Sequence, residues 1–214
     1  MGPMLAANNF LELMRSSPFN FAGVRCRLHG SLAFTGVGHA TDRAITLGLE
    51  GFTPENYDEV KASKALSRIQ STQFLEPDGL GKLKFNTSED LIFDYGPRLD
   101  EHSNGLILYA IDHQGDVILE EIYFSIGGGF ILTKSEFSQQ SPNEIGTEVP
   151  YPFKTAAEML QMARSSGKSI AEMKRDNEKA LHSNAEIKDG LSQIWKTMDM
   201  LSLIHISEPT RRAL

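Results

Sequence analysis

An α+β fold followed by a purely helical segment is what this sequence predicts, and three features of its apolar pattern predict it. Apolar residues near the start recur at helical spacing, residues 83–133 hold short alternating stretches divided by turn residues, and beyond residue 153 only helical spacing remains. Strands bunched together, with helices gathered before them, argue for an α+β domain and against an alternating βαβ one.

Met4, Leu5, Phe10, Leu11 and Met14 line one face of a helix over residues 3–15, which Ser16-Ser17-Pro18 stops because proline disfavours helix in the residue before it. Residues 24–32 alternate as a strand with Cys26 facing inward, and the Gly36-Val37-Gly38 turn follows, since glycine reaches backbone conformations closed to larger residues. A second helix over residues 41–49 ends at Gly51, with Thr41 and Asp42 both placed to cap it. Between residues 57 and 69, Val60, Ala65, Leu66 and Ile69 lie among charges, the pattern of a surface helix laid on one face of a sheet.

After the Asp78-Gly79-Leu80-Gly81 loop, strands are expected over residues 83–85, 91–93, 106–111, 117–124 and 130–133, with Asp112-His113-Gln114-Gly115-Asp116 as a hairpin connection. Residues 136–152 read as a linker rich in Ser, Gln, Asn and Pro. Three helical faces come next: Phe153, Ala156, Ala157 and Leu160; Ile170, Met173, Asn177 and Leu181; and Ile187, Leu191, Ile194, Trp195 and Met198. Ser169 followed by Glu172 fits a capping box, and the apolar faces call for a partner surface.

Composition narrows the function classes. The 214 residues are 40% hydrophobic and 23% charged, ordinary for one or two globular domains. A net charge of −7, more negative still without the two arginines and one glutamate of residues 201–214, argues against a nucleic-acid partner held by phosphate neutralisation. No apolar run approaches the roughly 20 residues of a spanning helix, and the amino end lacks the basic-then-apolar order of a signal peptide, so no membrane partner and a cytoplasmic setting are expected. Cys26 is the single cysteine, which excludes a disulfide framework and Cys-rich metal spacing and leaves it a core role. Neither a Gly-x-Ser-x-Gly elbow nor HExxH is present, and a Schiff-base lysine with a phosphate cup cannot be pointed to.

The residues that remain for chemistry are few. His39 sits between Gly38 and Ala40 at a strand-to-helix turn, where its ring reaches a cleft beside a helix amino end. His102 and Asn104 are two apart before a strand, so on extended backbone an imidazole and a carboxamide face the same side and clamp one small polar ligand; the other reading is an Asn-Gly turn beside a solvated histidine. Ser125-Ile126-Gly127-Gly128-Gly129-Phe130 lacks the lysine of a phosphate loop and the spacing of a dinucleotide fingerprint, so its glycines mark a bulge. His29, His113 and His182 have no second ligand at metal spacing, and with Asp100-Glu101 and Glu120-Glu121 they read as solvated.

Three blocks in this order, Leu28-His29-Gly30-Ser31-Leu32-Ala33-Phe34-Thr35-Gly36-Val37-Gly38-His39-Ala40-Thr41-Asp42-Arg43-Ala44, His102-Ser103-Asn104-Gly105 and Ser125-Ile126-Gly127-Gly128-Gly129-Phe130, resemble the β domain of the iron-sulfur-dependent L-serine dehydratases. The resemblance starts at Gly2-Pro3-Met4 and runs through Pro150-Tyr151-Pro152-Phe153 into the first helices of that family's all-α catalytic domain, ending near Met200. It implies a serine dehydratase β domain over residues 1–135, a linker over 136–152 and the start of the α domain over 153–200. It further implies an L-serine ammonia-lyase that yields pyruvate and ammonia, a 4Fe-4S cluster on cysteines later in the α domain, the rest of that domain as a partner, and a homodimer.

In the same resemblance His39 lines the catalytic site, while His102 and Asn104 bind L-serine at a regulatory site, as in the similar allosteric substrate-binding domain of some phosphoglycerate dehydrogenases; Ser103 stands where proline is commonest. A serine-sensing regulatory domain is therefore the alternative, against which the Pro150-Tyr151-Pro152-Phe153 junction, Ile170-Ala171-Glu172-Met173 and Ile194-Trp195 favour the dehydratase. The family's Gly-Pro-Met element follows a Ser-Ser-Ser-His-Thr-Val run, and Met1 stands in place of that valine, so the chain is expected to be cut at both ends. Residues 201–214 read as a translated sequencing adapter, which removes His205 from the chemistry. With one cysteine the chain itself is expected to bind no cluster and to be inactive.

Overall fold

The computed structural model describes the backbone of residues 1–139 and 149–207 and the side chains of residues 1–139 and 149–202. Two compact units divide the chain between Ser141 and Pro142. Among the described residues, no helix is long and apolar enough to cross a membrane.

The first unit opens with α1 (Gly2–Ser16), where Pro3 occupies the first turn, a position that needs no amide donor, and Met4, Ala6, Ala7, Phe10, Leu11 and Met14 are buried. Strand β1 (Gly23–His29) sends Val24, Cys26 and Leu28 into the core and Arg25 and Arg27 to the other face, where they pair with Asp90 and Asp94, each at 3.6 Å. Helix α2 (Ser31–Thr35) and a 3-10 turn (Val37–His39) lead into α3 (Thr41–Leu49) and α4 (Glu59–Thr72), the last capped by the Asp58 carboxylate on the Lys61 amide at 2.8 Å. Strands β2 (Phe74–Leu75), β3 (Leu83–Lys84), β4 (Leu91–Asp94), β5 (Gly105–Ile111), β6 (Val117–Gly127) and β7 (Phe130–Thr133) precede α5 (Lys134–Gln139).

These strands form one mixed sheet in the order β2-β3-β1-β5-β6-β7, with β4 also on β1. Strands β3 and β4 lie end to end along the same edge of β1, both parallel to it: Gly23 faces Lys84, and Cys26 to His29 face Leu91 to Asp94. They act as one edge strand interrupted by a loop that Asp90 closes, its carboxylate accepting the Asn86 amide at 2.8 Å and its carbonyl the Cys26 amide at 2.7 Å. Helix α1 packs on β5, β6 and β7 and on α3. Contact with α3 is close because Gly48 has no side chain: a Cβ there would stand 2.4 Å from the Met4 carbonyl oxygen.

Four features differ from the sequence reading. The strand expected to reach residue 32 stops at His29, since Gly30 turns the chain with φ 54° and Ser31 begins α2. Helix α4 packs on α3 and β2 instead of across a sheet face; Ala62 joins Met4 and Leu47 in a small cluster, and Ile69 enters the main core. Helix α5 straddles the boundary drawn at residue 135 and occupies the first residues of the expected linker, of which residues 140–148 lie outside the described residues. The caps expected from Thr41 and Asp42 are not made: Ala40, in left-handed conformation at φ 53°, leads into α3 with no side-chain cap, and the turn closes on the backbone, Thr41 N–H to Gly36 carbonyl at 2.8 Å.

The second unit holds α6 (Ala156–Ser166), α7 (Ile170–Lys179) and α8 (Asn184–Ser207). Capping boxes start α6 (Thr155 with Glu158) and α7 (Ser169 with Glu172); the second is the one expected above, and the first has the same Thr-x-x-Glu pattern. The buried Asn177 carboxamide clasps Tyr151 at both ends of its backbone, accepting its N–H at 2.9 Å and donating to its carbonyl at 2.8 Å. Leu160, Leu181, Leu191, Ile194, Trp195 and Met198 are exposed. The expected adapter-derived tail falls partly on α8, which continues to Ser207, while residues 208–214 lie outside the described residues.

Candidate functional site

Strand direction brings the three motif blocks to one end of the sheet. Leu28 faces Leu106 and Gly105 faces Phe124, so the end of β1, the start of β5 and the end of β6 lie side by side, and parallel pairing puts Asp94, the end of β4, opposite His29. The loops leaving this end carry Gly30 and His39, His102 and Asn104, and Gly127, Gly128 and Gly129.

At Gly30 the backbone passes against the second block. A Cβ at this position would stand 2.2 Å from the Ser103 carbonyl oxygen, and that oxygen accepts the Ser31 amide at 2.9 Å. Helix α2 then reaches Thr35, whose carbonyl oxygen lies 2.9 Å from His39 Nδ1. A carbonyl only accepts, so Nδ1 carries the proton in this bond and the neutral ring keeps its lone pair on Nε2. His39 is exposed, on a 3-10 turn between two helices and not at the strand-to-helix turn expected.

His102 is held in the opposite sense. Its Nδ1 lies 3.0 Å from the Asn104 backbone nitrogen, and an N–H only donates, so Nδ1 is the acceptor and the neutral ring carries its proton on Nε2. The ring packs near Phe124 and Phe137, with centroids 6.4 and 6.3 Å away. Asn104 donates from Nδ2 to the Ser125 carbonyl at 3.2 Å and receives the Ser125 amide on its own carbonyl at 2.9 Å. The structure thus joins His102 and Asn104, by a route other than the alternation argument, because residues 102–104 precede the strand and fold back on themselves. Among the described residues, what remains of the pair for a ligand is the imidazole Nε2–H, the carboxamide oxygen and the second Nδ2–H.

His39 forms its ring hydrogen bond within its own segment, and α2 links that segment to the His102 loop. The glycine run makes a tight turn, all three residues at positive φ (99°, 62° and 86°), and shifts the register between Ser125 and Gly127, in keeping with the bulge expected.

Sequence reasoning missed His29. Expected to be solvated, it is buried at 7% exposure, and among the described residues neither ring nitrogen has a hydrogen bond of good geometry; the Asp94 carboxylate lies 3.9 Å from Nδ1 and the Pro97 backbone is close by. Burial pushes its pKa below the ordinary histidine value and the Arg27 guanidinium adds to that shift, while the Asp94 carboxylate and the nearby Pro97 backbone carbonyl oppose it. On a strand with Cys26 facing inward His29 falls on the opposite face, and residue type carries no mark of what covers that face. Glu101 is likewise not simply solvated: it pairs with Lys134 at 2.9 Å, which holds its carboxyl below the usual range. Burial raises the carboxyl of the half-buried Glu121. His113 and His182 are exposed as expected.

An iron-sulfur cluster does not fit these residues. Cys26 is fully buried in β1, where burial pushes its thiol pKa far up and away from the thiolate that ligation needs, and among the described residues no group of three or more His, Cys, Asp or Glu is arranged to hold a metal ion.

Known proteins are similar to this chain in sequence. The family model described as serine dehydratase beta chain matches residues 1–136. An L-serine dehydratase of Streptomyces coelicolor is 35% identical over 200 residues, which is 92% of this chain and 44% of that protein. L-serine dehydratase 1 of Escherichia coli is 34% identical over 202 residues, 92% of this chain and 43% of the relative, and the L-serine dehydratase of Haemophilus influenzae is 33% identical over 202 residues. The chain therefore spans less than half the length of these relatives. A matched α+β unit, the three motif blocks gathered at one end of its sheet, and similarity that continues into the helical unit place this chain in the serine dehydratase beta chain family.

Proposed function

We propose that this chain is the β domain and the opening helices of the α domain of an L-serine ammonia-lyase, and that it contributes a base and a serine-binding loop to that enzyme. The observation that carries the reading is the pair of opposed tautomers at one end of the sheet: His39 with a bare Nε2 and His102 with a protonated one. A bare Nε2 on an exposed turn takes a proton, and β-elimination from serine needs a base for the Cα proton as hydroxide leaves Cβ. The aminoacrylate so formed tautomerises to an imine, which water hydrolyses to pyruvate and ammonia.

The His102 N–H and the Asn104 carboxamide oxygen suit a small zwitterion, the N–H donating to a carboxylate and the oxygen accepting from an ammonium. In this reading they form a site distinct from catalysis, where L-serine regulates. The cluster, a homodimeric partner and a cytoplasmic setting belong to the proposal through the family resemblance, and the cluster ligands lie in the part of the relatives that this chain does not span.

Calorimetry on the 214-residue chain tests the loop. Weak L-serine binding is expected, and the double variant His102→Ala, Asn104→Ala should abolish it. Binding that survives the double change, or no binding to the original chain, would count against a serine site there.

A further inference from the structure

Helix α2 has no slack at either end. At its start the Ser103 carbonyl takes the Ser31 amide at 2.9 Å, and Gly30 has no room for a Cβ against that same oxygen. Within it, the Ala33 and Phe34 amides both close on the Gly30 carbonyl at 3.0 and 3.1 Å, and the Thr35 hydroxyl reaches back to the Ser31 carbonyl at 2.8 Å, tying the last residue to the first. Its side is held by Phe34 against Tyr95, with ring centroids 5.3 Å apart. At its end a Cβ on Gly36 would meet the Leu32 carbonyl oxygen at 2.2 Å and the Phe93 ring at 2.9 Å, and the Thr35 carbonyl meets His39 Nδ1 at 2.9 Å.

We propose that α2 is a strut that sets the tautomer and position of His39 from the backbone of the His102–Asn104 loop, with Gly30, Ser31 and Thr35 as positioning residues. Five helical residues span about 7.5 Å, too short to bend, so a displacement of the Ser103 carbonyl passes to the Thr35 carbonyl as a rigid shift. The bond at the far end decides which imidazole nitrogen is bare, because without an acceptor at Nδ1 the neutral ring divides between its two tautomers. The strut deepens the proposed function, on which its regulatory meaning rests: a ligand on the His102 loop would reach the base without touching it. Its structural claim stands on the hydrogen bonds alone.

The test is the nitrogen-15 spectrum of the imidazoles in the full chain, recorded at about pH 8 so that neutral rings are compared. The original chain and Ser31→Ala, which keeps the amide, should show His39 with Nδ1 protonated and Nε2 bare. Ser31→Pro removes the donor to Ser103 and puts its ring Cδ where the amide hydrogen stood, so it forces the Ser103 carbonyl and the start of α2 apart, and should lower the Nδ1-protonated fraction at least about twofold. If Ser31→Pro loses native amide dispersion, Thr35→Val, which cuts the tie across α2 at an exposed site, is read in its place. A His39 tautomer unchanged in the variant that is read overturns the strut.

Adding L-serine separates the two ideas. Shifts at both His102 and His39 in the original chain, but at His102 alone in Ser31→Pro, support transmission; equal His39 shifts in both chains refute it. No response at His102 in either chain counts against the serine reading, and the tautomer measurement then decides the strut.

Discussion

His29 and Ala40 each hold an unfavourable state that their neighbours enforce. For His29 the state is burial without a hydrogen bond of good geometry among the described residues, which favours the neutral ring and puts the folded-state pKa below the unfolded one. As pH falls, the unfolded chain therefore binds this proton first, so the stability associated with His29 is present above about pH 6.5 and is lost as pH drops through the lower folded value. Asp94 and Arg27 are the charged groups that face it, one opposing and one adding to the shift. Urea unfolding measured from pH 7.5 to 5 should show a decline that His29→Leu reduces; the same slope in both chains would remove His29 from the account. Ala40 pays for its left-handed φ of 53°, which costs an alanine roughly 1–2 kcal/mol. Ala40→Gly relieves that strain and loses roughly 0.4–1 kcal/mol to the freer unfolded chain, so a net gain of about 0.5–1 kcal/mol is expected in urea unfolding. A loss of stability would show that the turn is not strained.

Among the elements, α1 and α3 illustrate how one glycine sets a packing distance. Gly48 faces the Met4 carbonyl oxygen at 2.4 Å and the Ala7 Cβ at 2.7 Å from where its own Cβ would be, whereas Gly190, in α8, would meet nothing within 4 Å. The same change should thus have opposite signs at the two places. Gly48→Ala gains helix propensity but forces the helices apart, an overpacking cost of roughly 1–3 kcal/mol, while Gly190→Ala keeps only the propensity gain of roughly 0.5–1 kcal/mol. Thermal unfolding of both variants checks this, and stabilisation by Gly48→Ala would mean that the two helices are not in close contact. The half-strands β3 and β4 make the parallel point for the sheet: Asp90 closes the gap between them, so β1 keeps a partner along most of its edge.

At the scale of the whole molecule, an α+β unit with its own continuous core is joined in sequence to helices many of whose apolar side chains are exposed. The core of the first unit is continuous from Phe10 and Leu11 of α1 through Cys26 and Leu28 of β1 to Leu106 and Leu108 of β5. In the helical unit only Met173 and Asn177 are buried among the residues of α6 and α7, and Leu191, Ile194, Trp195 and Met198 of α8 are exposed. Chemistry follows the same division. One buried cysteine among 214 residues cannot ligate a cluster, so this chain, after anaerobic iron-sulfur reconstitution, should form no pyruvate from L-serine above a no-protein control. Pyruvate above that level would refute the assignment of the cluster to another part of the protein.

The sequence by itself determined the helices of α1, α3 and α7, the strands from β4 to β7 and the α+β class, because each has an apolar period that local burial imposes. It also singled out His39, His102 and Asn104 through the motif blocks that carry them. Only the tertiary structure decided how those residues are held. Helix α2 has five residues, too few to show a period, and it replaces the end of an expected strand with a short helix packed on β1 and β4 that carries the link to His39. The opposed tautomers of His39 and His102 depend on a carbonyl four residues back and an amide two residues ahead, and neither bond leaves a mark on residue type. Backbone hydrogen bonds are made by every residue alike, so a sequence names the side chains of a site while the fold alone assigns their protons.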